Sequence, residues 1–283
     1  MMKMMRTLLC LFCLFYASVA QAKISVLAAE NIYGSIAQSI GGNAINVTSV
    51  LNNPNQDPHL FSVDPRTAAA FHQAQLIIIN GAAYDPWAEN LTQSTPATII
   101  NVAQLAHIAN GSNPHIWYNF QVIEAFANHL ADTLTQLDPK NKIRFTQNLK
   151  TFLTQLHELQ HHTQQLKTKL SGKPITATEP VATYLTNALG LTMLNQGFQT
   201  SMMNDTEPSV HDRAAMIDSL KQHHVKILII NLQVSDPINQ QLQQLANANK
   251  IAVVGVTELL PVNEHYLSWM TKNVNHISQP LMP

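Results

Sequence analysis

Two histidines in this chain directly follow a proline, and both stand outside any helical pattern. His59 lies in QDPHLFSVDP (residues 56–65) and His115 in NPHIW (residues 113–117). Proline fixes its own backbone and biases the residue before it to extended geometry, so each imidazole is held on a stiff loop. Two glutamates occupy a related kind of position. Glu179 follows the strand-like run PITAT, and Glu258 follows IAVVGV after one threonine. In open α/β sheets, ligands bind beyond the carboxyl ends of strands. Two imidazoles and two carboxylates at such ends form a nitrogen and oxygen donor set suited to a first-row divalent metal.

The plainer readings carry weight for each residue alone. The chain has 13 histidines, and a single histidine is most often a surface or hydrogen-bonded group. Glu179, just before Pro180, also fits a helix-start carboxylate stabilised by the macrodipole. The coincidence of two Pro-His loops with two strand-end glutamates tips the balance. His157 and His161 in HELQHH stand at i and i+4, with Glu158 at i+1, which is the HExxH spacing, but together with His162 they read as an exposed, Gln-rich helical face. GxSxG, P-loop and GxGxxG patterns are absent. Asp57 and Asp64 read as turn and helix caps. Gln233 fits a loop amide and a neighbour of the site equally well. Trp117 and Tyr118 are expected to pack beside it.

The elements that position these residues alternate as strand and helix: strands over 23–29, 45–51, 76–80 and 98–102, then over 173–178, 191–194, 225–231 and 251–256. Helices are expected over 31–40, 64–75, from near Asn119, then over 180–189, from Pro208 to His223, from Pro237, and from about 263 to 278. Between the two sets, residues 138–172 form one long helical pattern. Phe145, Leu149, Phe152, Leu156, Leu159, Leu166 and Leu170 recur at steps of three and four, with Thr163 the polar break. At ~1.5 Å per residue this is a rod of roughly 45–50 Å. A coiled-coil seam would look similar, but α/β patterns on both sides favour a bridge. The fold class expected is therefore α/β: two lobes with mainly parallel sheets joined by one long rigid helix, the metal site lying in the cleft between them. The expected boundaries are 23–137 for the first lobe, 138–172 for the linking helix and 173–283 for the second lobe.

Residues 1–22 read as a cleavable signal peptide: Lys3 and Arg6, then LLCLFCLFYASVA, then small residues at Ala20 and Ala22. Both cysteines, Cys10 and Cys13, lie inside it, preceded by Leu9 and Phe12 rather than by the small residues of a lipoprotein signal. The rest of the chain carries 14 basic against 17 acidic residues, and charged residues are only 12% of the whole. That balance gives no reason to expect nucleic acid or an anionic membrane surface as partner. A periplasmic location follows as the simplest expectation.

At this point the chain resembles a known family, the solute-binding proteins of zinc and manganese ABC importers (cluster A-I, TroA-like). QDPHLFSVDP and NPHIWYN resemble its two histidine loops. DPKNKIRFTQNL resembles the start of its rigid helix, and TATEPVATYLTNALGL and GVTELLPVNEHYLSWM resemble the segments carrying its third and fourth ligands. The resemblance implies His59, His115, Glu179 and Glu258 as ligands and no covalent chemistry. It implies capture of Mn²⁺ or Zn²⁺, with Fe²⁺ a further candidate, and delivery by a monomer to a permease and its ATPase. The His-rich loop of many zinc-specific members is missing, since only His72 and His107 lie between His59 and His115. Glu179 stands where such members often have a third histidine. The competing expectations are a secreted metal-dependent hydrolase, which needs an open coordination position and a base beside it, and a surface adhesin with a structural metal. The four-ligand set is closed, and no spare carboxylate is obvious beside it to serve as that base.

Overall fold

The computed structural model describes residues 22–55 and 57–282. The signal-peptide reading of residues 1–22, with Cys10 and Cys13, falls almost wholly outside them. Among the described residues, no helix is long and apolar enough to cross a membrane.

Two four-stranded sheets form the framework, and every pairing in them is parallel. The first contains β1 (Ile24–Glu30), β2 (Ile45–Leu51), β3 (Leu76–Ile79) and β4 (Thr98–Asn101), in the order β2-β1-β3-β4. The second contains β5 (Pro174–Ala177), β6 (Thr192–Met193), β7 (Ile227–Asn231) and β8 (Ala252–Val256), in the order β6-β5-β7-β8. Both sheets thus change winding direction between their first and third strands. A crevice opens at the carboxyl ends of strands at such a point.

Parallel sheets need apolar cover on both faces, and the alternation along the strands supplies it. Val26, Ala28, Leu76 and Ile78 face one cluster, while Leu27, Ala29, Ile77 and Ile79 face another with Phe71 and Ala88. In the second sheet Ile227 and Ile229 join the first cluster, and Leu228 packs with Phe198, Met216, Leu220 and Leu242. One continuous core therefore runs through both lobes. Its centre holds Trp117, Tyr118, Tyr266 and Trp269.

The long helix, Lys142–Leu170, starts after a tight turn over Pro139–Asn141 rather than at residue 138. Asp138 Oδ2 accepts from Asn141 Nδ2 (2.6 Å) in that turn. Phe145, Phe152, Leu156, Leu159 and Leu170 are buried in the chain's own core, against the helices Asn31–Gly41, Phe120–Leu137 and Tyr266–Ser278. The apolar stripe is thus an intramolecular seam. Its polar break, Thr163, donates its hydroxyl to the Leu159 carbonyl (2.8 Å). Direct hydrogen bonds also stitch the lobes beside the crevice. Asn31 exchanges two bonds with the backbone of Leu260 (3.0 and 2.9 Å). Tyr118 donates to the Thr257 carbonyl (2.9 Å), Tyr266 to that of Trp117 (2.8 Å), and Asn113 to that of Pro180 (2.6 Å).

Candidate metal centre

His59 is carried by a single turn, Pro58–Leu60. Asp57 Oδ1 accepts the His59 backbone N–H (2.9 Å), and Asp64 Oδ1 accepts that of Thr67 (2.7 Å), so both aspartates are the caps their positions indicate. His115 is held more tightly. One oxygen, Asn113 Oδ1, accepts the His115 backbone N–H (3.0 Å) and lies 2.7 Å from ring Nδ1. An oxygen already accepting from the backbone can only accept from the ring, so Nδ1 carries the hydrogen and Nε2 presents its lone pair. That Nε2 is buried and has no hydrogen-bond partner.

Glu258 stands at the meeting point. Its Oε2 lies 3.5 Å from His115 Nε2 and 3.7 Å from His59 Nε2. The same oxygen accepts the Tyr84 hydroxyl (2.7 Å), and Oε1 accepts Asn231 Nδ2 (2.6 Å). Asn231 Nδ2 donates again, to Glu179 Oε2 (3.0 Å). Gln233 Oε1 accepts the backbone N–H groups of Glu258 and Leu259 (2.5 and 2.9 Å), which fixes the turn carrying Glu258 and makes Gln233 a neighbour of the site. Glu179 and Glu258 are both buried. The His59 ring, 28% exposed, closes the outer side, where it shares a cavity of about 520 Å³ with Glu179, Asp57 and Asp205. A larger groove of about 710 Å³, beside Asn148, Phe152 and His265, contains none of the four residues. Trp117 packs edge-on to His115 (centroids 5.4 Å apart) and to Tyr84 (4.9 Å).

Three of the four residues therefore meet around one carboxylate oxygen, and Glu179 is joined to them through an amide. As placed, no three His, Cys, Asp or Glu side chains among the described residues converge closely enough to hold an ion. Charge pairing within the cluster is strong. Burial alone would push the Glu258 carboxyl up, but the His115 and His59 imidazoles, when they carry their second protons, outweigh it and hold the group well below the usual carboxylate range. The Glu258 carboxylate in turn raises His59 to about 9. Glu179 is pushed up to about 7, chiefly by burial, against the stabilising amide of Asn231.

Four residues near this centre escape the sequence reading. Tyr84 follows three consecutive residues at positive φ, Gly81, Ala82 and Ala83 (75°, 53° and 63°). A left-handed run is costly for alanine. Asp85 holds it by accepting the backbone N–H groups of Asn80 and Gly81 (both 2.8 Å). Asn231 ends β7. Glu30 ends β1, fully buried, with no donor on either carboxyl oxygen. Burial first, then the neighbouring Asp85 carboxylate, pushes Glu30 well up, and burial raises Asp85 to about 6. Of the two acids, Glu30 is the one that keeps its proton to the higher pH. Carboxylates thus stand behind Tyr84 that the sequence alone does not reveal.

Two parallel-sheet lobes meeting over a buried histidine and carboxylate cleft define a two-lobed solute-binding protein. The ZnuA family, described as zinc-uptake complex component A, periplasmic, matches residues 26–279, and this chain belongs to that family. The chain is similar to the manganese ABC transporter substrate-binding lipoprotein PsaA of Streptococcus anginosus, at 25% identity over 99% of each chain. It also resembles the solved structure of the periplasmic zinc-binding protein TroA from Treponema pallidum, with a TM-score of 0.79 and 16% identity over 93% of this chain and 100% of that one. A crystal structure of ZnuA matches with a TM-score of 0.74 and 21% identity, over 92% and 98%. At these identities the two structures speak for the fold.

Proposed function

We propose that this protein binds a divalent transition metal, Mn²⁺ or Zn²⁺, in the cleft and hands it to the permease of an ABC importer. His59, His115, Glu179 and Glu258 serve as the ligands. The observation that carries the reading is His115 Nε2: buried, without a partner, its tautomer set by Asn113, and aimed at the one carboxylate oxygen that also faces His59. A buried acceptor left without a donor is costly, and a cation resolves it. Binding draws the two rings and Glu179 inward by small side-chain shifts around Glu258. The two carboxylates neutralise the ion, and with four protein ligands the shell is closed. A closed shell leaves no position for an activated water, so a hydrolase is the poorer reading. In this reading the protein acts as a monomer in the periplasm, with a permease and its ATPase as partners, and Fe²⁺ is a further cargo.

Calorimetric titration of the metal-free protein with Zn²⁺ and Mn²⁺ tests the ligand set. One site per chain is expected, abolished by His115→Ala and by Glu258→Ala. Unchanged stoichiometry and affinity in both variants would sink the assignment.

A further inference from the structure

The amide of Asn231 lies where the two glutamates would otherwise repel each other. It is buried at the carboxyl end of β7, and its orientation is fixed: Oδ1 accepts the Gln233 backbone N–H (3.0 Å), so Nδ2 must face the carboxylates. The two Nδ2 hydrogens are then divided, one to Glu258 Oε1 (2.6 Å) and one to Glu179 Oε2 (3.0 Å). Each carboxylate has one oxygen turned to the amide. The other oxygen of Glu258 is the one facing both imidazoles.

We propose that Asn231 is a positioning residue that holds both glutamates to one metal-binding oxygen each, and so favours four-coordinate ions such as Zn²⁺ over Mn²⁺. This rests on the ligand set proposed above. With the amide in place, the protein offers two nitrogens and two oxygens, a tetrahedral complement that suits zinc. Manganese favours octahedral, oxygen-rich shells. To reach one here it must turn the glutamates so that both oxygens bind, which breaks the two amide contacts, or bring water into a buried cleft. Neither demand falls on zinc. Removing a group that orients metal ligands typically costs 10–100-fold in affinity. Here the loss is unequal, because freeing the second carboxylate oxygens compensates manganese and not zinc.

The test uses Co²⁺ as a spectroscopic probe, with Zn²⁺ and Mn²⁺ affinities measured by calorimetry. Wild-type protein is expected to take up one Co²⁺ with the intense visible bands of a four-coordinate ion. Asn231→Ala, and Asn231→Asp, which keeps the shape but cannot donate, are expected to weaken those bands as the coordination number rises. Both should lower the ratio of Zn²⁺ to Mn²⁺ affinity by roughly tenfold or more. Weak octahedral bands in the wild type would overturn the proposal, and that measurement needs no variant to fold. Unchanged bands and an unchanged ratio in folded Asn231→Ala would overturn it as well, while leaving the ligand set standing. Co²⁺ uptake indifferent to His115→Ala would overturn both.

Discussion

Metal binding at this cleft should expel protons, and the number follows from two groups. His59 is raised to about 9 by the Glu258 carboxylate, and Glu179 is pushed up to about 7. At pH 7 the first is almost fully protonated and the second about half. A metal ligand must be deprotonated, so an ion entering at pH 7 displaces about one proton from His59 and about half of one from Glu179. Solvent reaching the His59 ring weakens its pairing, which places the expected release between about one and one and a half protons per metal. At pH 8.5 Glu179 is ionised already and His59 only partly charged, so release falls to about 0.8 or less. Apparent affinity should therefore rise with pH from 6 to 9, by about a decade per pH unit while one proton is exchanged. The assay is calorimetric titration with Zn²⁺ at fixed pH in phosphate, HEPES and Tris. The slope of observed heat against buffer ionisation heat gives the protons released. His59→Ala should lower the pH 7 value to about half a proton. A slope near zero at pH 7 would refute the charge pairing on which the reasoning depends.

Two further outcomes are expected in the metal-free protein. Tyr84→Phe removes a 2.7 Å hydrogen bond to an ionised carboxylate, which should lower stability by about 1.5–3 kcal/mol in urea unfolding; a change below about 0.5 kcal/mol would show the contact to be idle. Glu30 has its pKa raised in the fold, so its contribution is fully present below its unfolded value and is lost as pH rises through the folded one. Glu30→Gln should therefore stabilise the protein by about 1–3 kcal/mol at pH 8, with the gain shrinking on acidification. Melting curves at pH 5 and pH 8 that shift equally would contradict this.

Strands β3 and β7 were legible because each is a short apolar run with a polar residue at its end, and β2 matches its expected span residue for residue. The long helix was legible from its stripe, although its start lies at Lys142 because Pro139 sets up a separate turn first. Short helices such as Pro86–Thr92 and Gln196–Met203 give too few turns for a period to show. At the centre, His59 and His115 are conspicuous because proline marks them. Tyr84 is not, because its partner Glu258 lies 174 residues away and nothing local signals the contact. Asn231 and Glu30 teach something narrower. Strand-end reasoning looks at the residue after an apolar run, whereas both of these are the last residues of their strands. The crevice is lined by last strand residues, Glu30 and Asn231, as well as by residues that follow strands, Glu179 and Glu258.

The stitched edge between the lobes has a consequence for how a loaded molecule can be told from an empty one. Tyr84, Tyr118, Tyr266, Asn31 and Asn113 all bond across the cleft. Bonds of this kind oppose any opening of one lobe away from the other. What does differ is the tether on the Pro58–Leu60 turn, since His59 is the one proposed ligand at the rim and the others are already buried. Its capture by an ion costs that loop conformational freedom. A docking partner would then sense cargo as the quieting of a single loop and not as a swing of one lobe.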